Sequence, residues 1–531
     1  MAKTPTGSPA AVETELKLCG EPAALERLWQ ASPLRAPETA APRVKQLENV
    51  YYDTADLRLR KRGLAFRVRR DGNRFVQTVK SGDTAASAVM SRGEWEGELP
   101  SPDPQPDLVD DPTLRAAIGL LLPGELRPVF TTRVHREVVK LNGTDSLGRV
   151  KVIEAAFDRG EIEAAGQREP VAEIELELRE GPPAALFDLA LALQDVAPTQ
   201  VETRSKSARG YALATGRRPA WQRAEPLDLD AQMSVDDALA AVLAACLRHW
   251  SANEAAARDG SDPEGVHQMR VGLRRFRSAL SVFGKLLPAR QVEWLKAEGK
   301  WALNVLGPAR DWDVFQADLL AALEAARPQD ADLAALRAAA RERQALAYDH
   351  LRGALSSPRY TRLLLRLGGW LEDRAWRSPE LTAEQKAALA QPLITLADTL
   401  LAKRHHQVMK RGKGFKKLAT AERHQLRIAV KKLRYTTEFF RGLYPAKHSK
   451  DYLAALRDLQ ESLGHLNDVA VAEHLLVDLT EKSPPGSGAR QLERAAGKVI
   501  GWYNRAVLDS EPEMRRTWKS FAATEPFWNK S

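Results

Sequence analysis

The chain is 531 residues long, 44% hydrophobic and 28% charged, a composition that excludes a fibre or a fully disordered polymer and allows roughly two to four globular domains. Lys and Arg outnumber Asp and Glu 79 to 70, a formal charge of +9, so an anionic partner fits, although charge alone does not separate nucleic acid, phosphates and a membrane surface. The 2 cysteines, Cys19 and Cys246, lie far apart without His or Cys at metal-ligand spacing, which argues against a disulfide framework and a zinc site and fits a reducing cytoplasm.

The opening stretch, MAKTPTGSPAA, has no apolar h-region, and no run is apolar for long enough to span a membrane, so a cytoplasmic protein without membrane contact is expected. From residue 12 to 215 the hydrophobic period is mostly two, in ETELKL, LAFRVRR, FVQTVK, GEWEGEL, TTRVHREVVKL, RVKVIEAAFD and VAEIELEL. Short runs separated by turn residues predict an antiparallel sheet or barrel. PAALERLWQ, DPTLRAAIGLLL and PAALFDLALALQDV read as helices, each with Pro close to its start. Beyond GRRPAWQRAEPLDLD, at 216–230, the chain becomes rich in Ala, Leu, Arg and Glu at helical spacing, as antiparallel helices require. The expected domains are 1–215 and 231–520, joined by that linker.

In the strands, charge alternates as regularly as hydrophobicity. Glu13, Glu15 and Lys17 share one parity, as do Arg67 with Arg69, Glu94 with Glu96 and Glu98, and Glu173, Glu175, Glu177 with Arg179. The opposite parity holds Leu16, Leu18, Phe66, Val68, Trp95, Ile174 and Leu176. A single strand of this kind ordinarily turns its charges to water. Here carboxylates concentrate in the first and last strands and cations in those between, a segregation that suits binding better than solubility. The alternative is a closed barrel of about eight strands with apolar residues outside, beneath the helices, and charges lining a tunnel. Such a lumen needs a ligand, because an unpaired buried charge costs several kcal/mol. A polyphosphate with divalent cations would satisfy both signs.

ETELKL follows the E-x-E-x-K signature of the CYTH superfamily, the triphosphate tunnel metalloenzymes. YYDTADLRLRKRGLAFRVRR, FVQTVK, RGEWEGEL, AFDRGEI, EIELELREG and SKSARGY follow in the order that family shows. The resemblance implies an eight-stranded antiparallel tunnel with flanking helices that hydrolyses a triphosphate with Mg²⁺ or Mn²⁺. On this reading Glu13, Glu15, Glu173, Glu175 and Glu177 supply hard oxygen ligands, with some acting through water. Lys17, Arg67, Arg69, Lys80, Arg92, Arg133 and Lys206 grip the triphosphate, since phosphoryl transfer is mostly positioning and charge neutralisation. Asp158 is either a further metal ligand or a turn residue before Arg-Gly. Tyr51 and Tyr52 either orient water or pack, and His135 shares the parity of Arg133.

The helical half contains a repeat. HQMRVGLRRFR at 267–277 aligns without gaps on HQLRIAVKKLR at 424–434, an offset of 157 (424 minus 267), and LGPARDWDV at 306 aligns on LGHLNDVAV at 463 at the same offset. A duplication of helical bundles follows. The spacing places His267, Arg270, Arg274 and Arg277, and likewise His424, Arg427, Lys431 and Arg434, along one stripe of a helix, where like charges repel unless an anion joins them. Lys403, Arg404, Lys410, Arg411, Lys413, Lys416 and Lys417 extend the positive surface. This half resembles the CHAD domain, which implies two pseudo-symmetric four-helix bundles and inorganic polyphosphate as ligand. The repeats differ at Arg310, whose counterpart is Asn467.

The expected function is a metal-dependent inorganic triphosphatase cleaving tripolyphosphate to pyrophosphate and phosphate, with a polyphosphate-binding helical half. Thiamine triphosphate hydrolysis and ATP cyclisation are rivals within the same tunnel. A non-catalytic polyphosphate or RNA adaptor is the rival of another class. Nucleic acid is disfavoured because Glu13, Glu15, Glu173 and Glu175 would repel a polyanion unless a metal intervened.

Overall fold

The computed structural model describes residues 11–31, 34–35, 41–81, 89–121, 124–144, 148–481 and 486–529. Strands β1 (Ala11–Cys19), β2 (Arg43–Asp53), β3 (Leu64–Asp71), β4 (Arg74–Ser81), β5 (Val89–Leu99), β6 (Arg127–Thr144), β7 (Val150–Ala164) and β8 (Gln167–Glu180) pair in the order 5-4-3-2-6-7-8-1. A further β1–β5 ladder closes the ring, and the two-residue β9 (Gln200–Val201) adds to the end of β1. Every ladder is antiparallel. The expected eight-stranded barrel is therefore formed, and closure removes the exposed sheet edges. The seven predicted runs fall in seven of these strands; β2, RVKQLENVYYD, is the strand the alternation missed.

Helices α1 (Pro22–Gln30), α2 (Arg58–Lys61), α3 (Pro112–Ile118), α4 (Ala184–Gln194) and α5 (Lys206–Thr215) accompany the barrel. The apolar parity points outward beneath them. Leu16, Leu18, Ile174 and Leu176 are fully buried with Leu25, Leu28 and Trp29 of α1 and Leu186, Phe187 and Leu193 of α4. Phe66, Val79 and Trp95 are covered with Leu114 and Ile118 of α3. The hydrophobic effect that orients each strand thus acts from outside, at about 25 cal/mol per Å² of apolar surface covered, and leaves the charged parity to the lumen.

The remaining helices are α6 (Val235–Ala252), α7 (Glu254–Asp259), α8 (Pro263–Phe283), α9 (Ala289–Val314), α10 (Ala321–Ala326), α11 (Ala331–Leu355), α12 (Pro358–Glu372), α13 (Ala383–Ala390), α14 (Leu393–Gly412), α15 (Thr420–Phe440), α16 (Ala446–Glu481) and α17 (Ser487–Ala523). The chain forms two compact units. One contains residues up to Gln222 with Ser251–Asp259 and Ala354–Ala375; the other contains Arg223–Trp250, Gly260–Gly353 and the rest from Trp376. Grouping by contact thus adds α7 and α12 to the barrel unit, which the linear division at 216–230 does not. Gly368 of α12 makes this packing possible: a Cβ there would lie 2.1 Å from the Phe187 ring of α4.

In the second unit the duplication is visible in the helix limits. α8 and α15 start at 263 and 420, and α9 and α16 at 289 and 446, both pairs 157 apart (420 minus 263, 446 minus 289). At the starts of the two repeats Val235 N–H donates to the Gln391 carbonyl (2.9 Å) and Leu393 N–H to the Met233 carbonyl (2.8 Å), a reciprocal pair expected of pseudo-twofold symmetry. Among the described residues no helix is long and apolar enough to cross a membrane.

Candidate active site

The barrel encloses a cavity of about 250 Å³ lined mostly by charged side chains. β1 contributes Glu13, Glu15 and Lys17; β3, Arg67 and Arg69; β4, Lys80; β8, Glu175 and Glu177; and Lys206 enters from α5. Ser205 positions this last residue by capping α5, its hydroxyl accepting from Ala208 N–H at 3.0 Å.

At one end three carboxylates, Asp158, Glu173 and Glu175, place oxygens within 4.8 Å of one another. All three are buried. Lys206 Nζ lies 2.6 Å from Asp158 and 3.0 Å from Glu175 and also pairs with Glu173. Lys17 lies 2.7 Å from Glu175, Arg136 pairs with Asp158 at 2.6 Å, and Arg209 with Glu173 at 3.2 Å. Burial alone would lower the Lys206 ammonium and raise the Glu175 carboxyl. The surrounding opposite charges outweigh it, so Lys206 titrates above its ordinary value and Glu175 well below. Glu173 goes the other way: burial, helped by Glu175 and Asp158, raises it despite Lys206. Three acids against four cations make a closed ion-pair network with little charge left for a metal.

A second acidic group spans β1, β7 and β8. Glu177 is the direct cross-strand partner of Glu15 on β1 and of Glu154 on β7, so three carboxylates stand in a row across adjacent strands, an arrangement that repels. Burial, with Glu13, Glu154 and Glu15 close by, raises the Glu177 carboxyl to about 7 against the pull of Arg179. Each of these acids has a cationic partner, Glu13 in Lys80, Glu15 in Lys17, and Glu154 and Glu177 in Arg179, and as clustered hard oxygen donors they suit a divalent cation of the Mg²⁺ type. The residues that would hold it are Glu13, Glu15 and Glu177, with Glu154 beside them.

Opposite lies the cationic wall. Arg67 is held by Glu94 at 3.5 Å and Glu96 at 3.7 Å, and Arg69 by Glu96 at 3.7 Å. Lys80 bridges Glu13 (2.6 Å) and Glu94 (3.1 Å). Arg67 Nε is buried without a hydrogen-bond partner. The neighbouring Arg67 charge, with burial, lowers Arg69 to about 10. Two adjacent guanidiniums with an open donor form a site short of anion.

Most of the expected residues converge on this lumen; Glu173 is fully buried and does not line it, Arg133 and His135 face away from it, and Asp158, left open between metal ligand and turn residue, lies in it. Arg133 faces outward, half exposed, paired with Glu48 (3.2 Å) and Glu163 (2.5 Å); the lumen position on β6 belongs to Arg136, flanked by Val134 and Val138. His135 faces outward too, bonded to Gln46 at 2.7 Å. Asp158 is no turn residue but the buried middle of β7. Arg92 stands opposite Glu13 on β5, its side chain outside the described residues. Tyr51 lines the cavity while stacking on Phe130 at 4.3 Å, whereas Tyr52 packs outside the lumen. Arg136, Glu154, Arg179, Lys45, Glu94 and Glu96 join the lining. Of these, parity had marked Glu94, Glu96 and Arg179 as charged-face residues without a role; Arg136, Glu154 and Lys45 were missed.

In the helical unit, His267, Arg270, Arg274 and Arg310 of the first repeat and Arg427 of the second line one cavity of about 130 Å³. Burial, then Arg274 and Arg310, lowers Arg270 to about 10, and its Nε has no hydrogen-bond partner. Burial with Arg310 lowers His267 to about 4. Arg277, His424, Lys431 and Arg434 do not line this cavity; Arg434 pairs with Glu438 at 2.8 Å. Asn467 lies in α16 with its side chain outside the described residues.

Residues 11–211 match the CYTH domain and residues 241–477 the CHAD domain. The chain is a CYTH domain followed by a CHAD domain. It is 32% identical over 174 residues to the inorganic triphosphatase of Haemophilus influenzae, a match covering 32% of this chain and 46% of that protein, so the chain spans about half the length of this relative. The CHAD domain of the plant Ricinus communis is similar at 35% identity, over 56% of this chain and 96% of that one, with a TM-score of 0.49. The Hippeastrum adenylyl cyclase candidate HpAC1, with a dominant triphosphatase activity, is similar at 23% identity, over 38% of this chain and 95% of that one, with a TM-score of 0.29.

Proposed function

We propose that the barrel is a metal-dependent inorganic triphosphatase that hydrolyses tripolyphosphate to pyrophosphate and phosphate, and that the helical unit binds inorganic polyphosphate. The observation that carries the reading is the single lumen in which Arg67, Arg69 and Lys80 face a row of carboxylates. Arg67 and Arg69 would take the oxygens of the transferred phosphoryl group, where charge accumulates in the transition state, and Lys80 and Arg136 the rest of the chain. Lys17 and Lys206 hold Asp158, Glu173 and Glu175 in place through the ion pairs described above. A divalent cation at Glu13, Glu15 and Glu177 would neutralise phosphate charge and lower the pKa of bound water. The relative named as an inorganic triphosphatase supports the reaction class. The same clamp holds any triphosphate, and among the described residues lining the cavity Tyr51 is the single aromatic one, so they form no aromatic base-binding wall. That favours the inorganic substrate over thiamine triphosphate or ATP.

The test is phosphate release from tripolyphosphate, ATP and thiamine triphosphate by the full chain. Release should require Mg²⁺ or Mn²⁺, vanish with chelator, return on adding metal, and be abolished by Glu15→Ala or Arg67→Ala. Full activity of both variants would refute the tunnel assignment, and a preference for ATP would refute the substrate.

A further inference from the structure

The barrel unit holds a second basic pocket, separate from the tunnel. α5 has two working faces: Ser205, Lys206 and Ser207 line the tunnel, while Arg204, Ala208, Tyr211 and Ala212 line a cavity of about 330 Å³ on the other side. Its remaining cations are Arg60, beside α2's end, and Arg217 and Arg218 from the segment that follows α5. No carboxylate is among the described residues lining it. The acids nearby act from behind: Glu202 holds Arg204 at 2.9 Å, and Asp259 lies 3.6 Å from Arg218, whose side chain is 70% exposed.

The walls are fixed. Arg60 packs its guanidinium 5.2 Å from the Tyr211 ring, and Tyr211 donates its hydroxyl to Asp53 at 3.0 Å. The stretch ending at Gln222 is pinned by a reciprocal pair with Asn253, Gln222 N–H to Oδ1 at 2.8 Å and Asn253 Nδ2 to the Gln222 carbonyl at 2.9 Å. An independent observation comes from Ser251, which also lines the pocket: it is 3% exposed and its hydroxyl has no hydrogen-bond partner. A buried hydroxyl is normally satisfied, and a ligand oxygen in the pocket would satisfy it. The rest of the wall is mostly apolar, with Leu57, Pro219, Ala220, Ala252 and Ala255 joining the alanines of α5, and Thr203, Thr215 and Gln222 adding polar groups. Guanidiniums together with small apolar side chains suit a phosphate ester better than a naked inorganic anion.

We propose that this pocket binds a small organic phosphate of the nucleoside monophosphate class through Arg60, Arg217, Arg218 and the Ser251 hydroxyl. The test uses AMP and inorganic phosphate as probes, with calorimetric titration of the full chain, its Arg67→Ala tunnel variant, a Ser251→Val variant and an Arg217→Ala/Arg218→Ala double variant. AMP should bind the wild type and Arg67→Ala equally, bind more tightly than inorganic phosphate, and lose about tenfold or more in affinity in the double variant, which removes two charge-assisted partners. Ser251→Val should weaken AMP binding in the same direction. Both arginines are exposed, so the double variant keeps its fold, and AMP should slow amide exchange in 204–222 of the wild type and of Arg67→Ala but not of the double variant. Absence of AMP binding at millimolar concentration, equal binding by the double variant, or loss of binding in Arg67→Ala would each overturn the proposal. Equal affinity for AMP and phosphate would overturn the organic part.

Discussion

Arg133 and Arg136 are three residues apart on β6 and differ in everything but charge. Arg136 is the inward partner of Asp158 and Glu175, both buried, while Arg133 pairs at the surface. Removing one member of a buried pair strands the other charge, a loss of about 3–5 kcal/mol, whereas an exposed pair contributes about 0–1 kcal/mol. Arg136→Ala should therefore shift the denaturant midpoint strongly and abolish phosphate release, and Arg133→Ala should do neither. His267 gives a second residue-scale expectation. Its folded value near 4, set by burial and by Arg310, Arg274 and Arg270 against Glu264, lies below the ordinary 6.5 or so, so the unfolded chain binds the extra proton. The stability that His267 contributes is fully present above pH 6.5 or so and is lost as pH falls towards about 4. His267→Gln should flatten that acid limb, read as thermal midpoint against pH; an unchanged slope would show that His267 carries none of it.

At the scale of elements, what could be read from sequence was parity, and parity is a strand property. It put Glu13, Glu15, Arg67, Arg69, Glu175 and Glu177 on charged faces that do line one lumen, because each belongs to a strand whose other face is apolar and covered by a helix. It failed on β6, where Arg133, His135 and Glu137 alternate with Val134, Arg136 and Val138: both faces carry charge, and the outer face finds Glu48 and Glu163 at the surface in place of a covering helix. It was silent on Glu154, whose role comes from register with Glu177 on another strand. α5 was unread as a helix, although Ser205 is a good cap, because its ten residues carry too little apolar periodicity. That helix sets the position of Lys206, and Gly210 sets the helix: a Cβ there would meet the Phe130 ring at 2.2 Å. Gly210→Val should push α5 off the barrel, costing about 1–3 kcal/mol, and should lower turnover about tenfold or more by displacing Lys206. A variant that loses stability but keeps full turnover per folded molecule would separate α5 from catalysis.

At the scale of the whole chain, two cation-lined cavities are encoded by two kinds of repetition. The barrel repeats a period of two around a closed ring and encloses a lumen lined by charges of both signs. The helical unit repeats a 157-residue block, and its cavity draws Arg270 from one copy and Arg427 from the other, so neither copy alone completes it. Binding of a long polyphosphate to such a surface should proceed largely by counterion release, with the logarithm of affinity falling linearly in the logarithm of salt. Arg270→Ala and Arg427→Ala should each reduce that slope by about one phosphate contact. Because both arginines line one cavity, the double variant should be non-additive, losing less than the sum of the single losses. Neither residue lines the tunnel, so tripolyphosphate turnover should be unchanged in all three variants. Polyphosphate affinity measured across salt concentrations, with turnover in parallel, checks both halves of the expectation. Additive losses would mean that the two repeats bind independently, and a fall in turnover would mean that the helical residues act on the chemistry itself.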